Sequence, residues 1–176
     1  MELVPPVRRE SVAGTTGEGA TALSRWRVDL DAIMQRVAAT PGVIGVAPVV
    51  HEPYAGSAGW DGMLSAEDAP PDDATQRPYL NMELTNADYL DVTGVSLVAG
   101  RWLSEADREN TPRVIVLSEG AARLLFPGRE AVGRRVRLWG EERATVIGIV
   151  ADTRFREFLE PRASVYFPHR QFDAAV

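Results

Sequence analysis

The protein has 176 residues, of which 45% are hydrophobic and 25% charged, and its formal net charge is −6 at pH 7. This length suits one domain or two small subdomains. The acidic balance argues against a nucleic-acid-binding protein, because phosphate binding needs clustered Lys and Arg. The absence of cysteine excludes disulfide bonds, cysteine zinc sites and thiol nucleophiles. No apolar run approaches the ~18 residues of a membrane span, so we expect a water-soluble chain.

The first fifty residues predict a strand, a helix and a second strand. Residues 2–9 have the character of a weak strand. Apolar residues then recur at three- and four-residue steps from Leu23 to Val37, which predicts a helix. Thr40-Pro41-Gly42 ends that helix, and the apolar run 43–50 predicts the next strand. This order indicates a split βαβ-type unit.

The next part of the chain combines loops with two predicted strands. Loop-rich sequence precedes and follows a short strand at 62–66. The alternating sequence YLNMELT predicts a strand at 79–85. Asn86 is placed to cap a short helix over residues 87–92, and Gly94 ends it.

The second half of the chain predicts further strands at 97–99, 114–117, 135–138, 144–150 and 165–167. Between the first two, Ser104 to Asp107 resemble a capping box at the start of one helical turn. Ser118 is placed to cap a longer helix, which Pro127-Gly128 terminates.

The polar residues do not combine into a recognisable active site. Ser118 lies between a strand and a helix, but the GxSxG sequence of a nucleophile elbow is absent, so a helix cap is the better interpretation. His51 and His169 lie far apart and match no zinc-binding spacing. The glycine-rich loop 14–19 lacks the Gly-Lys-Ser/Thr ending of a phosphate loop. The sequence therefore predicts no catalytic residue, no metal and no cofactor.

Two other interpretations remain open at this stage. Acid pairs such as Glu105 and Asp107 would suit a hydrolase, although solvated faces and helix caps also explain them. Trp60, Trp102 and Trp139 are predicted to lie isolated in loops. The loops around Trp60 and Trp102 could line the cleft of a free-standing extracytoplasmic protein that binds a small molecule or a peptide.

Arg134, Arg135 and Arg137 form a small basic patch in the sequence. Such a patch can contact an acidic partner. It can also be the solvent side of an edge strand, where charge discourages unwanted pairing with other strands.

Spaced motifs between residues 79 and 168 occur in an order typical of one family. They are GVSLVAGR at 94–101, EAD at 105–107, VIVLSE at 114–119, ARLLFPG at 122–128, GRRV at 133–136, VIGIVAD at 146–152 and VYFP at 165–168. With them, the chain resembles the periplasmic core domain of MacB-type ABC transporter permeases, in the superfamily of FtsX and LolC/LolE. Within that group it looks most like the acidobacterial-type permeases.

The resemblance implies an α+β fold in two parts. Residues 1–50 would form part of a porter-like βαβ layer, and residues 52–168 an inserted, mostly β subdomain. Residues 169–176 would begin the return of the chain toward the porter layer. The motif residues that would set the fold rather than a reaction are Gly100, Arg101, Phe126, Pro127, Gly128, Gly133 and Gly148.

The resemblance also implies a non-catalytic role at the extracytoplasmic face of the cytoplasmic membrane. Such a domain couples ATP-driven motion to the handling of a substrate or partner outside the membrane. Its implied partners are the transmembrane helices of the same permease, an ABC ATPase subunit, and an extracytoplasmic protein or a second copy of the chain. No nucleic acid is among them.

Overall fold

The computed structural model describes residues 30–54, 59–70, 77–139, 142–155 and 160–171. Within them, helix α1 covers residues 30–38. Two further helices are α2 (Tyr89–Thr93) and α3 (Glu119–Leu125). The strands are β1 (Asp61–Met63), β2 (Ser65–Ala66), β3 (Tyr79–Thr85), β4 (Leu97–Gly100), β5 (Val114–Ser118), β6 (Arg135–Arg137), β7 (Arg143–Val150) and β8 (Ser164–Pro168).

These strands form one mixed eight-stranded sheet in the order β1-β3-β8-β5-β7-β6-β2, and β4 also pairs with β7. The central strand β5 runs parallel to β7 and antiparallel to β8. β6 pairs with the first residues of β7 and β4 with its last residues, so both lie on the edge of β7 opposite β5. A mixed sheet with few helices confirms the predicted α+β class.

Leu64 joins the two ends of this sheet. It separates β1, which pairs with β3, from β2, which pairs with β6 at the other end of the strand order. One residue spans only a few ångströms, so the sheet must curl back on itself. The side chain of Leu64 is 1% exposed and belongs to the core that this curvature encloses. The continuous strand predicted at 62–66 is therefore wrong, because its two halves pair at different ends of the sheet.

The sheet buries apolar side chains on both faces. In β5, Ile115 and Leu117 belong to the cluster that packs with α3, whereas Val114 and Val116 belong to a second cluster around Tyr89. This alternation is the two-residue period of a strand. All of β5 is buried, which explains why its sequence is a continuous apolar run rather than an alternating one.

Several predicted elements are confirmed to within about two residues. The strand predicted at 79–85 is β3, and those predicted at 97–99, 114–117, 135–138, 144–150 and 165–167 correspond to β4 to β8. The left-handed backbone conformation of Gly94, with φ of 73°, ends α2 as predicted. The predicted cap of α2 is shifted, because Asp88 is its N-cap and the Asn86 side chain accepts the backbone N–H of Asp88 in the preceding turn.

The strand predicted at 43–50 is wrong, because residues 43–49 have no regular secondary structure. The Asn86 Nδ2 atom donates to the Val46 carbonyl over 2.8 Å, and the Val50 N–H donates to the buried Glu83 carboxylate over 3.2 Å. Ile44 is 96% exposed. An apolar run forms a strand only where another backbone pairs with it, and the segment contacts the sheet through side chains instead. The strand at 2–9, the helix before residue 30 and the loop 14–19 lie outside the described residues.

Candidate functional site

Gly100 and Gly148 lie opposite each other where β4 meets β7. A Cβ atom on Gly100 would lie 2.2 Å from the Ile147 carbonyl oxygen, and one on Gly148 would lie 2.2 Å from the Arg101 carbonyl oxygen. Gly100 also has φ of 70°, a conformation that side chains disfavour. These two motif glycines therefore allow two strands to approach more closely than any side chain would permit.

Arg101 follows this contact and fixes the turn before β5. Its guanidinium binds the Asp107 carboxylate through two hydrogen bonds of 2.7 and 2.8 Å. Asp107, 6% exposed, also accepts the backbone N–H of Ser104 over 2.8 Å and its hydroxyl over 3.0 Å. One of the two contacts of a capping box is thus present, the acid accepting the N–H of Ser104, but it closes a turn, so the helical turn predicted here is wrong. Burial raises the pKa of Asp107, and the hydrogen bonds from Arg101 and Ser104 outweigh it, so the pKa lies below its ordinary value.

Trp102 packs in an aromatic cluster, so the prediction that it is isolated in a loop is wrong. Its ring stacks on Tyr89 with centroids 5.8 Å apart and meets Tyr166 edge-on at 5.5 Å. The indole N–H donates to the carbonyl of Asn86 over 3.1 Å. Burial raises the pKa of Tyr89, and it raises the pKa of Tyr166 to about 12, so both phenols remain protonated at neutral pH.

Trp60 and Trp139 form a second aromatic contact rather than lying isolated. Their rings stack with centroids 5.5 Å apart, and both contact Phe167 of β8. All three tryptophans therefore pack against aromatic residues of β8. This arrangement gives no support to a cleft lined by Trp60 and Trp102.

The end of α3 holds Phe126 in the core. Phe126 is 1% exposed, and the Arg129 guanidinium lies over its ring at 5.6 Å from the centroid. Arg129 also forms an ion pair with Asp68. Pro127 cannot continue a helix, and Gly128 has φ of 68° in the turn that follows. The predicted end of this helix at Pro127-Gly128 is confirmed.

Ser118 has the geometry of a helix cap, as predicted. Its hydroxyl oxygen accepts the N–H of Ala121 over 3.3 Å and the N–H of Ser164 over 3.0 Å. Asp152 binds the same helix start, accepting from the Gly120 N–H at 2.7 Å and from Arg123 at 2.8 Å. Burial raises the pKa of Asp152, while these two donors lower it, and the net pKa lies below the ordinary value.

Asp152 belongs to the motif at 146–152, and no contact was predicted for it. Its position two residues after β7 could have indicated the contact, since the carboxyl ends of the parallel strands β5 and β7 lie at the same edge of the sheet.

The three arginines of the basic patch converge on the turn after β2. Arg137 donates to the carbonyls of Glu67, at 2.9 Å, and Ala69. Arg135 pairs with the Glu67 carboxylate at 3.3 Å. Arg134 donates to the Glu130 carbonyl over 2.6 Å. The side chains of Arg134 and Arg135 remain 42% and 53% exposed, so they line a surface while holding this turn.

Three further features of the sequence concern metal binding, membrane spans and the motif glycine Gly133. Among the described residues, no group of three or more metal-ligating side chains comes together. None of the helices in the same ranges is long and apolar enough to span a bilayer. Gly133 has φ of 83°, and a Cβ atom there would have no neighbour within 4 Å, so this motif glycine serves the backbone conformation alone.

The motif contacts from Gly100 to Asp152 fall within a match to a known family. The family model of the MacB-like periplasmic core domain matches residues 6–176. The chain belongs to this family. The resemblance seen in the sequence is therefore confirmed, and so is the extracytoplasmic class of domain that it implied. The family is one of periplasmic core domains of MacB-like permeases.

Relatives of this MacB-like domain agree with its fold. The macrolide export ATP-binding/permease protein MacB of Aggregatibacter actinomycetemcomitans is 32% identical over 81 residues, which is 46% of this chain and 12% of that protein. The periplasmic region of MacB from Actinobacillus actinomycetemcomitans has a TM-score of 0.58 at 21% identity, covering 80% of this chain and 55% of that structure.

The extracellular domain of the ABC-type transporter YknZ from Gram-positive bacteria has a TM-score of 0.52 at 18% identity, covering 88% of this chain and 63% of that structure. The chain thus spans between about half and two thirds of the solved domains, and a small part of the curated relative.

Proposed function

We propose that this MacB-like domain transmits ATP-driven motion of a permease to a substrate or partner protein outside the membrane. The observation that carries the proposal is the family match over residues 6–176. In this proposal the domain performs no reaction, and an ABC ATPase subunit supplies the energy through transmembrane helices of the same permease.

The packing of the sheet supports a mechanical role. A part that transmits motion must keep its shape under load, and three described features oppose deformation. β5 is wholly buried, Gly100 and Gly148 bring β4 against β7, and Arg101 ties the following turn to Asp107. Close-packed interiors transmit strain because they compress little.

We further propose that the chain divides near residue 50 into a porter-like layer at 1–50 and a mostly β subdomain at 52–168. All strands of the described residues lie between Asp61 and Pro168. Residues 43–50 contact the sheet mainly through side chains, including Asn86 to Val46 and Glu83 to Val50. This junction is the place where relative motion of the two parts would occur. Residues 169–176 then lead back toward the porter-like layer.

The partner surface that we propose includes Arg134 and Arg135, with Arg137 holding the turn beneath them. The first two guanidinium groups are exposed while their pairing with Asp68 and Glu67 fixes their positions. Preorganised cations of this kind suit an acidic surface on an extracytoplasmic protein or on a second copy of the chain.

A disulfide across the junction tests the transmission of motion. A Cβ atom on Gly45 would lie 3.9 Å from the Cβ of Asp88, which is within the Cβ separation of disulfides. It would also lie 2.9 Å from Cγ2 of Val92, so Val92→Ala accompanies the pair in the oxidised and the reduced protein. The pair Gly45→Cys/Asp88→Cys is made in a permease and an ATPase from which any other cysteines have been replaced, because the absence of cysteine holds only for these 176 residues. We expect oxidation to lower ATP turnover of the full-length permease and its ATPase in nanodiscs by severalfold, and reduction to restore it.

The matched control is the pair Met63→Cys/Tyr79→Cys, which joins exposed residues of β1 and β3 that already pair. Its oxidation should leave ATP turnover unchanged. Equal turnover of the oxidised and reduced Gly45/Asp88 pair would contradict transmission through this junction.

A further inference from the structure

His169 connects α1 to the sheet from a buried position directly after β8. Its ring Nδ1 lies 3.2 Å from the carbonyl oxygen of Thr85, the last residue of β3. Its ring Nε2 lies 3.2 Å from a carboxylate oxygen of Asp31 on α1. His169 is only 4% exposed. Both ring nitrogens therefore face oxygen atoms that accept hydrogen bonds.

This geometry needs two ring protons. A neutral imidazole has one N–H, so one of its nitrogens would direct a lone pair at either the Thr85 carbonyl or the Asp31 carboxylate. An imidazolium donates from both nitrogens and satisfies both contacts at once.

The charges around His169 favour the same state. Arg170 pairs with Asp31 at 3.3 Å and also with Glu105 in the turn before β5. With His169 charged, this group of four side chains contains two positive and two negative charges. With His169 neutral, it carries one uncompensated negative charge. Burial opposes a charged ring, and the adjacent Asp31 carboxylate offsets that cost.

Helix α1 has little apolar packing to hold it in place over its described residues. None of residues 30–38 is buried, and Ile33 and Val37 are 57% and 43% exposed. Met34 receives a long 3.9 Å contact from the Asn86 amide. The ties of Asp31 to His169 and Arg170 are therefore the strongest polar links between this part of α1 and the sheet.

We propose that His169 is a proton-dependent latch that docks α1 when its ring carries two protons and releases α1 when one is lost. Histidine is the side chain type that ordinarily gains or loses a proton near neutral pH. The docked state holds one more proton than the released state, so rising pH favours release. This device is a property of the fold and does not depend on the proposed transmission of motion.

Hydrogen–deuterium exchange on the 176-residue chain tests the latch. The N–H groups of Ala39 and Thr40, which bond to the carbonyls of Gln35 and Val37, report on the end of α1. After correction for intrinsic exchange, we expect their protection to fall about fivefold between about pH 5.5 and pH 8. In Asp31→Asn the amide Nδ2 can donate to a neutral ring, so protection should persist and lose its pH dependence.

His51 provides the matched control, because His51 and His169 are the two histidines of the chain. His51→Gln should keep the pH dependence, and His169→Gln should abolish it. Unchanged protection in the unsubstituted chain between the two pH values would overturn the proposal, as would pH dependence that survives in His169→Gln.

The ring-nitrogen NMR shifts of His169 in the unsubstituted chain give a second test that needs no folded variant. Shifts of a doubly protonated ring are expected under every condition in which α1 is protected from exchange, and those of a neutral tautomer under such a condition would also overturn the proposal.

Discussion

Gly100 and Gly148 face each other across β4 and β7, and a Cβ atom on either would lie 2.2 Å from a carbonyl oxygen of the opposing strand. This one contact explains why two positions of the family motifs are glycine. The contact also seats Arg101, whose backbone N–H donates to the Ile147 carbonyl over 2.9 Å. The close approach of β4 to β7 at Gly100 and the Arg101–Asp107 ion pair, which begins at the next residue, therefore belong to one structural unit.

Gly100→Ala should reduce the free energy of unfolding by about 3 kcal/mol, because the new methyl group must displace backbone in addition to adopting a left-handed conformation. Gly133→Ala is the control, since Gly133 has a similar positive φ with no neighbour within 4 Å. Its cost should be about 1 kcal/mol from conformation alone. Urea denaturation measures both, and equal losses in the two variants would show that crowding at Gly100 is relieved by relaxation.

Asp107→Asn should lower stability at neutral pH by about 2 kcal/mol, because the buried carboxylate loses charge-assisted hydrogen bonds from Arg101 and Ser104. The pKa of Asp107 is lowered by folding. Its contribution is therefore complete above the unfolded value of about 3.9 and is lost as pH falls through the lower folded value. Urea midpoints from about pH 7 to pH 3 should converge for the two proteins. A difference that stays constant over this range would contradict the assigned ion pair.

The sequence allowed most strands to be predicted, and the reasons are local. β5 is a continuous apolar run because both its faces are buried. Ser118 caps α3 through a hydrogen bond from Ala121, which is only three positions further along the chain. Residues 43–50 have the same apolar character but form no strand, because strand formation depends on a pairing partner elsewhere in the chain. The split at Leu64 had no local signal for the same reason.

The side-chain site was less predictable than the fold. The motif identified Arg101 and Asp107, six residues apart, and their contact follows from the short turn. The approach of Trp102 to Tyr166, or of Asp31 to His169, joins residues 64 and 138 positions apart. Only the assembled sheet brings such pairs together, so spacing in one sequence cannot reveal them.

Arg137→Ala should destabilise the protein more than Arg129→Ala. Arg137 donates to the part-buried backbone carbonyls of Ala66 and Ala69, and its loss leaves both acceptors unsatisfied, at about 2 kcal/mol. Arg129 pairs with Asp68 at the surface, where water and salt screen an ion pair, so its loss should cost less. Thermal unfolding compares the two variants under identical conditions. A larger loss in Arg129→Ala would show that its contact with the Phe126 ring, rather than the ion pair, dominates.

Tyr166 should make the protein sensitive to alkaline pH. Burial raises its pKa to about 12, whereas an unfolded tyrosine ionises near about 10. The contribution of the protonated phenol is complete below the unfolded value and is lost as pH rises through the folded one. Urea midpoints should therefore fall between about pH 10 and pH 12.

Tyr166→Phe should weaken this alkaline dependence, because phenylalanine keeps the ring contact with Trp102 and has no proton to lose. Tyr79→Phe is the matched control, since Tyr79 is 65% exposed and its substitution should leave the dependence unchanged. Phenolate absorbance in the near ultraviolet, recorded together with unfolding, would show whether Tyr166 ionises only when the chain unfolds. Phenolate formation at Tyr166 in the folded protein at about pH 10 would contradict its burial beside Tyr89 and Trp102.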